Sequence, residues 1–188
     1  SRNPRRMDES MIAYLTSLDK QLTSGQDVDE EARAVLVDNV LVEMKSCTAS
    51  AACDRRVNVI VEKICYASSI TNIIEILKRF SDYAVFLARN RHSSHIIQAI
   101  VARLCCLLKN NGVENADQEK ELIDATLGFA RPVLAEVTWL AKELSASHVI
   151  RALICVLAGI PVVSARKGKQ SKHQHSVDLC ETLENLLE

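Results

Sequence analysis

Two segments of this chain are variants of one another: Ser93-Ser94-His95-Ile96-Ile97-Gln98-Ala99-Ile100 and Ala146-Ser147-His148-Val149-Ile150-Arg151-Ala152-Leu153. In each, a Ser-His pair is followed by two branched aliphatic residues and then by a polar one. Residues i, i+1 and i+4 share one side of an α-helix. Ser94, His95 and Gln98, and likewise Ser147, His148 and Arg151, therefore form polar, ring-bearing triplets, while Ile96, Ile97, Ile100 and their counterparts turn into a core. Stacked copies of such a helix present one triplet per repeat, the arrangement needed to read one nucleotide base per repeat.

A weaker third copy lies 36 residues before Ser94, where Asn58, Val59 and Glu62 take the places of Ser94, His95 and Gln98. From Ser94 to Ser147 the interval is 53, and a hydrophilic insertion around Lys109 to Glu121 accounts for the excess. A period near 36 with three helices per unit is the signature of a solenoid.

Elsewhere, apolar residues recur at helical spacing almost without interruption. Met11, Ile12, Leu15, Leu18 and Leu22 mark a first helix that Asp8 caps and Gly25 ends. Helices are expected over Asp29 to Lys45, Cys53 to Cys65, Ser69 to Phe80, Asp82 to Ala88, Ser93 to Leu108, Asp117 to Phe129, Pro132 to Leu144 and Ser145 to Ala158. Pro132 reads as a first-turn proline and Gly159-Ile160-Pro161 as a stop. The chain has only five Gly and three Pro, too few for the frequent turns of a sheet protein. One Trp, three Tyr and three Phe leave an aliphatic core, and at 48% hydrophobic the chain can build one. The fold class is all-α.

The net charge of −1 conceals an uneven layout, with acidic residues between Asp27 and Glu31 and a basic run from Arg166 to Lys172. A local basic stripe attracts phosphate even on a neutral chain; Arg166, Lys167, Lys169 and Lys172 are candidate RNA contacts in what otherwise reads as a solvated linker or nuclear-targeting segment. Seven cysteines without a Cys-x-x-Cys pair read as reduced thiols of the cytosol or nucleus. The absence of an eighteen-residue apolar run or a signal-like start argues for a soluble intracellular chain with no membrane partner. Ser94 and His95 are adjacent and diverge by about 100° around a helix, so they do not make a nucleophile and base. No phosphate loop or nucleophile elbow occurs. His173, His175 and Cys180 lack a fourth zinc partner at conventional spacing. Neither an enzyme nor a metal or other cofactor is expected.

The run His92-Ser93-Ser94-His95-Ile96-Ile97-Gln98 resembles the base-reading helix of pumilio (PUF) repeats. The wider order, a diverged first repeat, Ser-Ser-His-Ile-Ile-Gln, an insertion, the Ser147 copy and a basic linker, resembles the amino-terminal repeats of the family's nucleolar branch. The resemblance implies a right-handed α-solenoid of about three three-helix repeats over residues 7–165; beyond it the polar, basic residues 166–175 read as a flexible linker, and Val177, Cys180, Leu183 and Leu187 mark an amphipathic helix over 176–188, a candidate start of a further repeat. The resemblance also implies a nuclear, nucleolar protein that binds single-stranded or structured precursor ribosomal RNA during small-subunit biogenesis, with pre-ribosomal assembly factors as further partners and no DNA. By the family's pattern, Ser94 with Gln98 and Ser147 with Arg151 would meet base edges, and His95 and His148 would stack between bases. Asn58 and Glu62 would form a poorer pair, with Val59 between them. The alternative is a protein-binding scaffold of the HEAT or armadillo type, whose groove would be apolar or acidic instead.

Overall fold

The computed structural model describes residues 3–23, 30–109 and 113–158. Among them are ten helices and no strand: α1 (Glu9–Thr23), α2 (Glu30–Glu43), α3 (Thr48–Cys53), α4 (Asn58–Ala67), α5 (Ile70–Ser81), α6 (Ala84–Arg89), α7 (Ser93–Lys109), α8 (Ala116–Ala135), α9 (Val137–Leu140) and α10 (Leu144–Leu157). From α2 onward they fall into threes, long, short, long, so that α2–α3–α4, α5–α6–α7 and α8–α9–α10 are three copies of one unit. The third helices stand side by side, α4 against α7 and α7 against α10, with α1 on the other flank of α4; α8 runs along α5 behind them. The expected all-α solenoid is what the chain forms.

Local signals set the helix starts. Asp8 opens α1, its carbonyl accepting from the amide of Ile12 at 3.1 Å and its Oδ1 from the amide of Ser10 at 3.3 Å. Ser69 and Asn115 cap α5 and α8 by accepting from the amides of Asn72 and Gln118. One aliphatic core runs through all the repeats, built on residues such as Leu15, Ile64, Ile73, Leu87, Ile96 and Ile97, with Phe80 and Phe129 its largest fully buried side chains.

Three expectations need correction. The helix expected from Cys53 to Cys65 begins only at Asn58, as α4, and a separate short helix, α3, ends at Cys53, because Asp54 is extended (φ −81°, ψ 122°) and its Oδ1 accepts from the amide of Arg56 at 2.9 Å, a turn that ends one helix before the next begins. Pro132 does not open a helix but lies inside α8. The carbonyl a proline deprives of its partner, four residues back, belongs here to the exposed Gly128, whose Cα faces open space, while Leu122, Ala125, Phe129 and Val133 keep one buried stripe through the proline. The excess in the interval from Ser94 to Ser147 is also not confined to an insertion: α7 of the second unit has 17 residues against 10 in α4, and α8 of the third has 20 against 12 in α5. Residues 159–188, including the linker and last helix, lie outside the described residues.

Candidate nucleic-acid interface

The helices α4, α7 and α10 are entered in the same way. Asp54, Asn90 and Glu143, one repeat apart, are all extended at ψ 122°, 129° and 126°. Asn90 repeats the turn made by Asp54, its Oδ1 accepting from the amides of His92 at 2.9 Å and Ser93 at 3.2 Å. Three residues further on, Val57, Ser93 and Ala146 are each 0% exposed. Only Ser93 has a hydroxyl there, which donates to the carbonyl of Leu87 at 2.7 Å. It also hydrogen-bonds Cys53, whose thiol burial pushes up to about 11 against that bond.

This common entry fixes the register of the triplets. The middle member is exposed in all three: Val59, His95 and His148. The flanking members are graded. Ser94 is buried, with Oγ donating to the carbonyl of Arg91 at 3.1 Å, and Gln98 is half-buried, its Nε2 donating to the carbonyl of Ser94 at 3.0 Å. That bond leaves the amide oxygen of Gln98 as its acceptor. Ser147 is half-buried and donates to the carbonyl of Leu144 at 2.8 Å, whereas Arg151 is exposed. In the first unit, Asn58 is half-buried and Glu62 buried. The structure thus brings all three sequence-derived triplets into one row, with the ring positions outermost. The candidate contacts Arg166, Lys167, Lys169 and Lys172 lie outside the described residues, as do His173, His175 and Cys180.

Sequence reasoning missed a basic cluster at the foot of the row. Arg55 and Arg91 are exposed at the same repeat position. The 36-residue offset that found Asn58 superposes these two arginines and would have revealed them. A cleft of about 440 Å³ here is lined by Arg6, Arg55, Arg56 and His92, with Asp54 and Cys53. Arg56 bridges Asp54 at 2.8 Å and Glu9 of α1 at 2.9 Å. Its guanidinium holds the Asp54 carboxyl below its ordinary range, and the two carboxylates raise Arg56 in return. At the next step along this edge, Arg89 lies over the Trp139 ring at 4.8 Å and pairs with Glu143 at 3.6 Å.

Among the described residues no group of three or more His, Cys, Asp or Glu is gathered to hold a metal ion, and no helix is long and apolar enough to cross a membrane.

Comparison with known proteins agrees with this geometry. Nucleolar protein 9 of Meyerozyma guilliermondii is 26% identical over 163 residues, covering 85% of this chain and 23% of that protein. Nucleolar protein 9 of Penicillium rubens is 26% identical over 165 residues, covering 83% and 23%. The chain therefore spans under a quarter of the length of these relatives. Among solved structures, that of APUM23 with GGAAUUGACGG superposes with a TM-score of 0.73 at 19% identity, covering 96% of this chain and 35% of the other, a likeness of fold. The family model described as the NOP9-like PUF repeat domain matches residues 48–185, most of the chain, and the protein belongs to that family.

Proposed function

We propose that this chain binds RNA along the row formed by α4, α7 and α10, without catalysing a reaction. One observation carries the reading: the position that would stack on a base is exposed in all three units, although the residue that follows it, Ile60, Ile96 or Val149, is buried in each. A histidine held outward at successive helices of a solenoid is of little use to packing and well suited to stacking. His95 and His148 supply the rings, Val59 an apolar surface in the first unit. Ser94 with Gln98, Ser147 with Arg151, and Asn58 with Glu62 flank them as base-edge groups. Arg55 and Arg91 add phosphate attraction from the described residues, and Arg166, Lys167, Lys169 and Lys172 from the linker. APUM23, whose fold this chain shares, has been solved with an oligonucleotide.

The relatives named Nucleolar protein 9 support a nucleolar site of action; precursor ribosomal RNA of the small subunit as the ligand and pre-ribosomal assembly factors as companions are what the resemblance to the family's nucleolar branch implies. Residues 7–165 form the binding array in this reading.

The test is binding to short single-stranded RNAs across a salt series. The expected result is affinity that falls with salt, with His95→Ala and His148→Ala each weakening it roughly 5-fold to 150-fold while His→Tyr preserves it. Alanine variants that bind normally but melt several degrees lower would make the histidines packing residues and return the chain to the scaffold class.

A further inference from the structure

At the far end of α4 from Arg55 lies a second, larger cavity, of about 620 Å³. Its first lining residue on α4, Lys63, lies five residues beyond Asn58, about 7.5 Å along the axis, and Tyr66 three residues further. Its walls come from α1, α2, α4, α5, α7 and α8, and among them are Arg33, Lys63, Tyr66, Ser69, Thr71 and Arg103. We propose that this cavity is a phosphomonoester site, taking a nucleoside 5′-phosphate with its phosphate between Arg33, Arg103 and the first turn of α5 and its base against Tyr66.

Four observations converge on that chemistry. Arg33 of α2 and Arg103 of α7 both line the cavity, so two guanidinium groups from different helices reach one space. Arg103 is fixed rather than waving, because its Nε donates to the carbonyl of Ser68 at 2.8 Å. In the first turn of α5 the Asn72 amide is taken by the Ser69 cap, which leaves the amides of Ile70 and Thr71 at the end where the helix dipole favours an anion. Finally, the ring of Tyr66 is half-buried in the wall, and the volume falls within the roughly 300–1,000 Å³ of small-ligand pockets.

The other charges facing the cavity do not reverse this preference. Asp38 and Glu114 also line it, but both are solvent-exposed, where their repulsion of an anion is screened, and Asp38 also accepts from Nδ2 of Asn72 at 2.7 Å. Lys63 pairs with Asp19 at 2.6 Å, so the two guanidinium groups, planar forks that match phosphate oxygens, are the groups assigned to the ligand. The site is separate from the triplets and does not rest on their binding RNA. A phosphomonoester has two sources, a free mononucleotide or the phosphorylated end of an RNA strand.

Calorimetric titration of the full chain with adenosine 5′-monophosphate, inorganic phosphate and adenosine tests the assignment. The nucleotide is expected to bind at least about tenfold more tightly than adenosine, with inorganic phosphate competing. Arg33→Gln, and Thr71→Glu at an exposed position of the same wall, should each weaken it about tenfold or more, whereas His95→Ala and His148→Ala should leave it unchanged. Thr71→Glu keeps the test valid should Arg33→Gln fail to fold. An RNA carrying a 5′-phosphate, compared with its 5′-hydroxyl form, then separates the sources: a gain that Arg33→Gln abolishes assigns the site to an RNA end, and equal affinities assign it to the free nucleotide. No nucleotide binding, binding no tighter than adenosine, or wild-type nucleotide affinity in folded Arg33→Gln and Thr71→Glu variants would overturn the proposal.

Discussion

Val101 of α7 and Ile154 of α10 occupy the same place in successive repeats, yet Val101 is 3% exposed and Ile154 50%. Cys65, their counterpart on α4, is 0% exposed. The helix has not changed; its neighbour has. The flanks of α4 and α7 are covered by α7 and α10, whereas among the described residues no further helix packs on the equivalent flank of α10. The ring position behaves oppositely, since Val59, His95 and His148 are exposed in every unit whatever stands beside it. Exposure that changes along the array marks a stacking surface waiting for its neighbour. Exposure that persists through the array is what the proposed RNA-binding face requires.

That contrast breaks most sharply with an aspartate at the stacking position. Val101→Asp buries an unpaired carboxylate between α7 and its neighbours, and the expected cost is more than about 3 kcal/mol, enough to unfold much of the population. Ile154→Asp should change stability by no more than about 0.5 kcal/mol, as for a surface substitution. Urea unfolding of the two variants checks this. Equal costs would mean that the flank of α10 is covered in solution, and the distinction between stacking and ligand faces would have to rest on the ring positions alone.

How far the sequence reveals these two faces depends on how local each cause is. The triplets and the α7 and α10 cores were legible because helical periodicity and a repeated motif are properties of a few consecutive residues. The α3 helix was not, since Thr48 to Cys53 spans fewer than two turns and its small Ala, Ser and Cys side chains carry little periodic signal. Pro132 misled because its local rule is overridden by the buried stripe from Leu122 to Val133. The burial of Ser94 and Glu62 was equally out of reach, being set by how far neighbouring helices close over each one. The 620 Å³ cavity left no trace in the sequence, because its walls are drawn from residues between Leu22 and Gln118 that meet only when the units stack.

A smaller test addresses the shared helix entry. Val57 and Ala146 fill the same buried position with apolar groups, while Ser93 spends its hydroxyl on the carbonyl of Leu87. Ser93→Ala should therefore cost about 1 to 3 kcal/mol, since it leaves the buried carbonyl of Leu87 without this partner and removes the contact with Cys53, without altering RNA affinity. Thermal melts and RNA titration on the same variant separate the two outcomes. A large loss of RNA binding would make the hydroxyl a positioning group for His95 and Gln98, and the interior unit would then differ from its neighbours in function and not only in packing.

The smallest effect returns to the stacking position through Cys65, the counterpart of Val101 and Ile154. Burial, with the Glu62 carboxylate adding to it, pushes this thiol up to about 12 from an ordinary value of 9.0. The protonated form is the one the fold accepts. Below pH 9 the thiol is neutral both folded and unfolded, and it imposes no pH dependence. Between pH 9 and 12 the unfolded chain ionises first, so stability falls as pH rises. Other groups titrate in the same range, so the informative quantity is the difference between the wild type and Cys65→Val, which keeps an apolar residue of the type Val101 already provides. The melting temperatures of the two should run parallel up to about pH 9 and then diverge, with the variant declining less steeply. Parallel curves throughout would show that the flank of α4 opens to solvent before the chain unfolds, and that the first stacking interface is looser than the burial of Cys65 implies.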